Sequence, residues 1–341
     1  MPDDAHTPTL AAVAPDVLGG DWVARTLPLR PDDEGPVVAT LVHESEPGPD
    51  PAQSRHRSRR AVLYLHGFVD YFFQAEHAAE WTSRGYDFYA LDLRKYGRSL
   101  RPGQTPNDVA DLRSYDEEIG EAVRIIRSEH RHDTLVLLGH SAGGLVAALW
   151  ADRHRRADAS ATDPCADALV LNSPWFDLNG TWFERVVATR AIDVVGSFLP
   201  RLVVGKLGQA YGRSLHVSTG GPWEYNLSWK PIEGFPVRAG WFRAIRRGHR
   251  TLARGLGIDI PVLVCCSTAS GPDDRWHEEI GRTDSVLNVE HIATRAVGLG
   301  ADVTVVRIPD GIHDLALSSA PARTRYVDEV FSWTAQHVPA T

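Results

Sequence analysis

Cysteine is nearly absent, with three in 341 residues, which excludes the disulfide framework of a small secreted scaffold. Cys265 and Cys266 are chain neighbours, so a bridge between them would be strained, and a reducing compartment is the simplest expectation. Lysine is limited to Lys95, Lys206 and Lys230, a bias in favour of arginine that we read as codon composition. No apolar run approaches the about 18 residues of a membrane span. Residues 1–16 carry Asp3, Asp4 and Asp16, with no basic residue and no apolar stretch, so a secretory signal is not expected. A basic excess is lacking too: the formal net charge is -8, which argues against a nucleic-acid partner. The expectation is a soluble, cytoplasmic protein with no integral membrane segment. What remains is an ordinary globular composition, 43% hydrophobic, 23% charged and 9% aromatic, which excludes a largely disordered chain.

Short apolar runs bounded by turn residues recur at 22–27, 37–42, 61–65, 87–91, 134–138, 168–171, 261–266 and 303–308. Many are rich in Val, Leu and Ile, as strands buried on both faces of a parallel sheet are. Helical spacing appears between several of them. Leu112, Tyr115, Ile119, Val123 and Ile126 fall on one face of a helix expected over 111–128, with Asn107 and Asp108 as cap candidates. Further helices are expected at 145–152, 289–297 and 327–337. The alternation implies an α/β doubly wound fold. The first two strands lack an intervening helix and are expected to pair antiparallel at one edge. Residues 47–60, with three prolines and a run of Arg and His, are expected to form an exposed loop.

The segment 174–259 breaks the alternation and holds Trp175, Trp182, Trp223, Trp229 and Trp241. A crossover needs only about a dozen residues, so this stretch is expected to fold as a cap of several helices over the carboxyl edge of the sheet. The expected organisation is therefore a core in two parts, 1–173 and 260–341, with the cap at 174–259 between them.

The strongest chemical signal is Gly139-His140-Ser141-Ala142-Gly143. A G-x-S-x-G pattern alone arises by chance about 0.1 times in such a chain at average usage. Here a buried strand precedes it and a helix follows, the strand–turn–helix context of a nucleophile elbow. The turn would set the Ala142 amide near a helix N-terminus, beside the reacting centre. The second signal is Leu65-His66-Gly67-Phe68 after the third strand, where a second oxyanion donor is expected; the Phe68 amide is the candidate. The base should be a late histidine. His313, in Pro309-Asp310-Gly311-Ile312-His313-Asp314, follows the last strand and could take the serine proton. His66 and His140 occupy motif positions that pack or line the site. A carboxylate after the strand at 261–266 should orient the base. Asp284 is favoured because it precedes a helix-like stretch, whereas Asp273 and Asp274 lie in a Gly-Pro turn, an ordinary place for Asp; both stay open as alternatives.

These motifs, together with Asp92-Leu93-Arg94-Lys95-Tyr96-Gly97-Arg98-Ser99 and Asp284-Ser285-Val286, resemble the α/β-hydrolases of the serine aminopeptidase S33, or monoacylglycerol lipase and lysophospholipase-like, group. The resemblance runs over about residues 60–337 and implies the α/β-hydrolase fold with a helical cap insertion. The Asp92 segment is similar to that group's D-x-R-G-x-G-x-S loop, with Lys95 and Tyr96 in place of small or polar residues and a structural role at a strand end. Val69-Asp70-Tyr71 stands where the monoglyceride lipases tend to carry Gly-Glu-His, which weakens transfer of monoacylglycerol specificity.

The resemblance implies a serine hydrolase of a small lipophilic ester, with Ser141, His313 and Asp284 as triad, the Phe68 and Ala142 amides as oxyanion hole, and neither metal nor organic cofactor. No G-x-x-x-x-G-K phosphate loop is present. Phe68, His140 and Trp175 are candidates for the substrate wall. So are Phe198 and Leu202, in the apolar cap stretch 191–207, as lining of an acyl slot. Acyl transfer, thioester cleavage and aminopeptidase use of the same residues stay open, as does a non-catalytic ligand-binding version. An aminopeptidase would need acidic cap residues such as Glu184, Asp193, Glu224 or Glu233 to hold the substrate amine.

Overall fold

Val62, Tyr64, Val136 and Leu138 face one hydrophobic core, while Ala61, Leu63, Leu135 and Leu137 face another. This is the two-residue period of strands whose side chains point to opposite faces of a sheet. The computed structural model describes residues 13–45, 58–157, 166–179 and 195–338. The strands are β1 (Val13–Pro15), β2 (Trp22–Asp32), β3 (Gly35–Glu44), β4 (Arg60–Leu65), β5 (Asp87–Asp92), β6 (Thr134–His140), β7 (Ala168–Asn172), β8 (Val203–Gly205), β9 (Val237–Arg238), β10 (Val262–Ser267) and β11 (Val303–Ile308). Nine of them form one sheet in the order β1-β2-β3-β5-β4-β6-β7-β10-β11. The first three are antiparallel to their neighbours, and every pairing from β5 onward is parallel. All eight strands expected from sequence are present, and the expected antiparallel edge is extended by β1. The loop expected at 47–60 lies, up to residue 57, outside the described residues.

Helices α1 (Ala75–Ser83) and α7 (Ala320–His337) cover one face through Trp81, Tyr326, Val330 and Trp333. The other face takes α2 (Asp116–Arg124), α3 (Ala142–Ala157) and α6 (Val289–Ala296), which bury Ile119, Leu145, Leu149 and Ile292. Covered on both sides, β6, β7 and β10 can be apolar along their whole length, and all three are buried throughout. The helix expected over 111–128 is three consecutive segments of different pitch: a 3₁₀ turn at Leu112–Tyr115, α2, and a π turn at Ile125–Glu129. Its cap is Asp111, which accepts the Arg113 amide at 2.9 Å. Asn107 instead adopts a positive φ of 60° and donates to the Lys95 carbonyl, so neither it nor Asp108 caps the helix.

Between β7 and β10 the described residues form a two-stranded antiparallel ribbon, β8 with β9, and the helices α4 (Ala210–Leu215) and α5 (Ala239–Leu252). This segment lies over the carboxyl ends of the parallel strands, where open α/β sheets bind ligands.

The Asp92 loop is a structural knot. Asp92 Oδ1 accepts the Phe72 amide, and its Oδ2 accepts the Arg98 amide and Nη1, each at 2.9 Å. Arg98 reaches on to Asp16 in the turn between β1 and β2. Gly97 is required here: its φ is +45°, and a Cβ would stand 2.4 Å from Asp92 Oδ2. Both charges are buried, and removing one partner of such a pair costs about 3–5 kcal/mol. Asp92→Ala should therefore lose that much in urea unfolding at an unchanged slope. A loss below about 1 kcal/mol, the scale of an exposed ion pair, would refute this account.

Candidate active site

The site is built at strand ends. Ser141 follows β6 directly, precedes α3 and has a φ of +52°, a conformation that costs an ordinary residue energy and persists where the surroundings enforce it. The surroundings are close. A Cβ on Gly143 would lie 2.3 Å from the His66 carbonyl, and one on Gly139 2.8 Å from the Gly143 carbonyl. Only glycines let the turn pass, and they aim the Ser141 side chain out of the sheet. Ala142 opens α3, so its amide is among the first-turn donors without an intrahelical acceptor. The loop after β4 runs against the same point: a Cβ on Gly67 would stand 3.1 Å from Ser141 Cβ. The next residue, Phe68, stacks its ring on Trp241 of α5 at 3.8 Å between centroids.

His313, in the loop after β11, sets Nε2 3.0 Å from Ser141 Oγ and Nδ1 3.0 Å from Asp284 Oδ2. That geometry suits Nδ1–H donating to the carboxylate and Nε2 accepting from the hydroxyl. Asp284 is fully buried, and its Oδ1 accepts the Val286 and Leu287 amides at 2.9 and 2.8 Å. Asp273 stands in the cavity wall beside Asn179, and Asp274 is exposed next to Arg275; of the three aspartates, Asp284 is the one hydrogen-bonded to His313. His66 and His140 are buried packing residues, and His140 also lines the cavity. The Leu93 amide donates to His66 Nε2, while His140 Nδ1 meets the Asn172 carbonyl. Burial lowers the pKa of both rings.

A cavity of about 480 Å³ opens above Ser141 and His313. Its wall includes Phe68, His140 and Trp175, as expected from sequence, with Leu178, Val204, Phe242 and Val286. Phe198 and Leu202 are not in that wall: they are 80% and 46% exposed. The reason is local. The backbone here packs against the start of α5, with the Gly240 amide donating to the Pro200 carbonyl and Gly196 close to the Ala239 carbonyl. The side chains of Phe198 and Leu202 are thereby turned outward, and Val204 and Leu207 reach the cavity instead.

Several wall and support residues were not foreseen. Lys230 Nζ lies 2.5 Å from Asp70 Oδ1, above the Phe73 and Tyr225 rings. Asp314, beside His313, accepts from Asn172 Nδ2 and Gln74 Nε2. Burial alone would raise its carboxyl, but His140, Lys230 and these amides hold it below its ordinary value. Tyr211 of α4 reaches the same loop. Asp314 and Asp70 had a sequence signal, their closeness to His313 and Phe68; the others come from chain far away. No helix among the described residues is long and apolar enough to cross a membrane.

The family model described as serine aminopeptidase, S33, matches residues 56–275, a span that includes Phe68 and Ser141 and stops short of Asp284 and His313. The chain is 26% identical over 283 residues to a monoacylglycerol lipase of Mycolicibacterium smegmatis, covering 82% of this chain and 89% of that protein. It is 28% identical over 160 residues to the phospholipase YtpA of Bacillus subtilis, covering 46% of this chain and 54% of that one. Among solved structures it is similar to a soluble variant of monoglyceride lipase from Saccharomyces cerevisiae in complex with a substrate analog. There the TM-score is 0.66 at 14% identity, over 100% of both chains, a likeness of fold.

Proposed function

The chain belongs to the serine aminopeptidase S33 family, and from that premise we propose that it is a serine hydrolase cleaving carboxylic esters of a small lipophilic substrate through an acyl-enzyme. The observation that carries this is the unbroken relay Ser141–His313–Asp284, 3.0 Å at each step, opening on a largely apolar cavity. Relatives named as a monoacylglycerol lipase and a phospholipase support the substrate class.

In this mechanism His313 Nε2 takes the Ser141 proton as Oγ attacks the ester carbonyl carbon. The Phe68 and Ala142 amides hydrogen-bond the oxyanion of the tetrahedral intermediate. Its collapse breaks the bond to the alcohol oxygen, which leaves with the proton from His313. Water then attacks the acyl-enzyme with His313 again as base, and Ser141 recovers its proton. Asp284 holds the imidazole in one tautomer and stabilises the imidazolium. The segment 174–259 acts as the cap over a core made of 1–173 and 260–341. Burial pushes the Cys266 thiol up to about 12, so it is no competing nucleophile. The setting that goes with this proposal is cytoplasmic, in keeping with a chain that has three cysteines in 341 residues.

Amide cleavage at a free N-terminus is the second reading, since the family's description names it. It needs a carboxylate in the wall free to meet a substrate amine. Asp70 gives Oδ1 to Lys230 while its Oδ2 has no hydrogen-bond partner among the described residues, Asp273 stands in the wall beside Asn179, Glu224 and Glu233 are not in the wall, and Glu184 and Asp193 lie outside the described residues. The relatives named as a monoacylglycerol lipase and a phospholipase favour esters. The test is a series of p-nitrophenyl esters from two to twelve carbons, run beside aminoacyl anilides. At about 0.8 kcal/mol per buried methylene, kcat/KM should rise about fourfold per added carbon until the slot fills. Anilides outrunning every ester would overturn the ester reading, and a flat series would remove the apolar slot.

A further inference from the structure

The loop that carries His313 is tied down amide by amide. The Ile312 amide donates to Ser318 Oγ at 3.1 Å and the Leu315 amide to Asn172 Oδ1 at 3.2 Å; both acceptors belong to the core of the fold. Of the two amides between them, that of Asp314 donates to the hydroxyl of Tyr211 at 3.0 Å, and Tyr211 comes from α4, in the segment between β7 and β10. The same phenol ring stands edge-on to the His313 imidazole, 5.8 Å between centroids at 81°. One side chain thus touches both the ring of the base and the backbone next to it.

Helix α4 has little freedom to drift. Gly212 packs so closely on Ile232 that a Cβ would meet its carbonyl at 2.9 Å, and Tyr225 Oη donates to the Gly212 carbonyl. Leu215 and Tyr225 pack with Tyr71, Phe73, Ile312 and Leu317, and Tyr211 lies against that cluster. Burial holds the Tyr211 phenol far above its ordinary pKa, so it remains a neutral hydroxyl able to accept the amide at any working pH.

We infer that Tyr211 is a positioning residue for the base: its hydroxyl and ring edge hold the His313 imidazole in line between Asp284 and Ser141. This rests on the reading of His313 as general base. A buried amide left without its acceptor shifts to find another, and a displacement of the imidazole by a fraction of an ångström is felt directly in turnover.

Tyr211→Phe keeps the ring and removes only the hydroxyl. One neutral hydrogen bond converts to a fall in kcat of about five- to tenfold. That fall is expected equally on acetate and octanoate esters, with KM unchanged. The downfield proton resonance of the His313 Nδ1–H, sharp in the wild type, should broaden in the variant. Unchanged kcat with a sharp resonance would overturn the inference, as would a raised KM with kcat intact, which would make Tyr211 a substrate contact. Labelling by a fluorophosphonate separates the two levels. If the wild type is not labelled at Ser141, the serine-hydrolase reading falls and this inference with it. If the wild type is labelled and Tyr211→Phe turns over like it, only the role of Tyr211 falls.

Discussion

Ser141→Ala is expected to lower ester turnover by about 10⁶-fold, the scale seen when a triad nucleophile is removed, while the protein unfolds at the wild-type temperature. The substitution deletes one oxygen whose described side-chain partner is His313. The elbow itself is held by backbone: the Ser141 amide donates to the Asn172 carbonyl at 3.0 Å, and the Trp175 amide donates to the Ser141 carbonyl at 2.9 Å. Alanine meets the same positive φ with no larger side chain, so the turn survives. Steady-state hydrolysis of a p-nitrophenyl ester and the thermal melt decide the matter together. Activity within tenfold of wild type, from a folded protein, would take Ser141 out of the chemistry.

Asp284→Asn is expected to be the second-largest loss, about 10⁴ in kcat. An asparagine at this position keeps an oxygen for the Val286 and Leu287 amides, so the loop holds. It then turns its NH₂ toward His313 Nδ1, which must become an acceptor. The imidazole proton moves to Nε2, where it can no longer take the one from Ser141. Asp273→Asn and Asp274→Asn should stay within about threefold, because neither carboxylate is hydrogen-bonded to His313 and changes away from such features are small. An inactive Asp273→Asn or Asp274→Asn beside an active Asp284→Asn would reassign the acid.

The parallel strands were legible because their burial is complete. A strand covered on both faces has no reason to alternate, so β6, β7 and β10 stand out as unbroken apolar runs between turns. β1 escaped notice for the opposite reason: its three residues are all exposed, and pairing with β2 is what makes them a strand. β8, with three residues, and β9, with two, are as short or shorter. The elbow serine could be found because its glycines sit at fixed places in a strand–turn–helix context, although Gly143 is demanded by the distant His66 carbonyl as well as by the turn. The late histidine could be proposed from chain order, which left several carboxylates after β10; Asp284 was preferred only for the helix-like stretch that follows it, with Asp273 and Asp274 left open. The outward turn of Phe198 and Leu202 was hidden because apolar character says nothing about which way a side chain points in an irregular segment. The ion pair of Lys230 with Asp70 joins residues 160 apart in sequence, and local pattern carries no trace of such a partner.

Among the described residues, the contacts that tie the segment between β7 and β10 to the loops around the cavity include Tyr211 on Asp314, Lys230 on Asp70 and Trp241 on Phe68. For anyone reshaping substrate preference, this segment is therefore not an interchangeable module. Grafting the corresponding stretch from a homologue would import a new pocket wall and at the same time cut the struts under the base and under the loop that carries Phe68. A chimaera would then lose turnover on every substrate, and screening it for a new preference would select against the graft whatever its shape. Libraries drawn instead at Val204, Leu207 and Phe242, which face the cavity and carry none of those struts, can change what fits while leaving intact the frame that does the cutting.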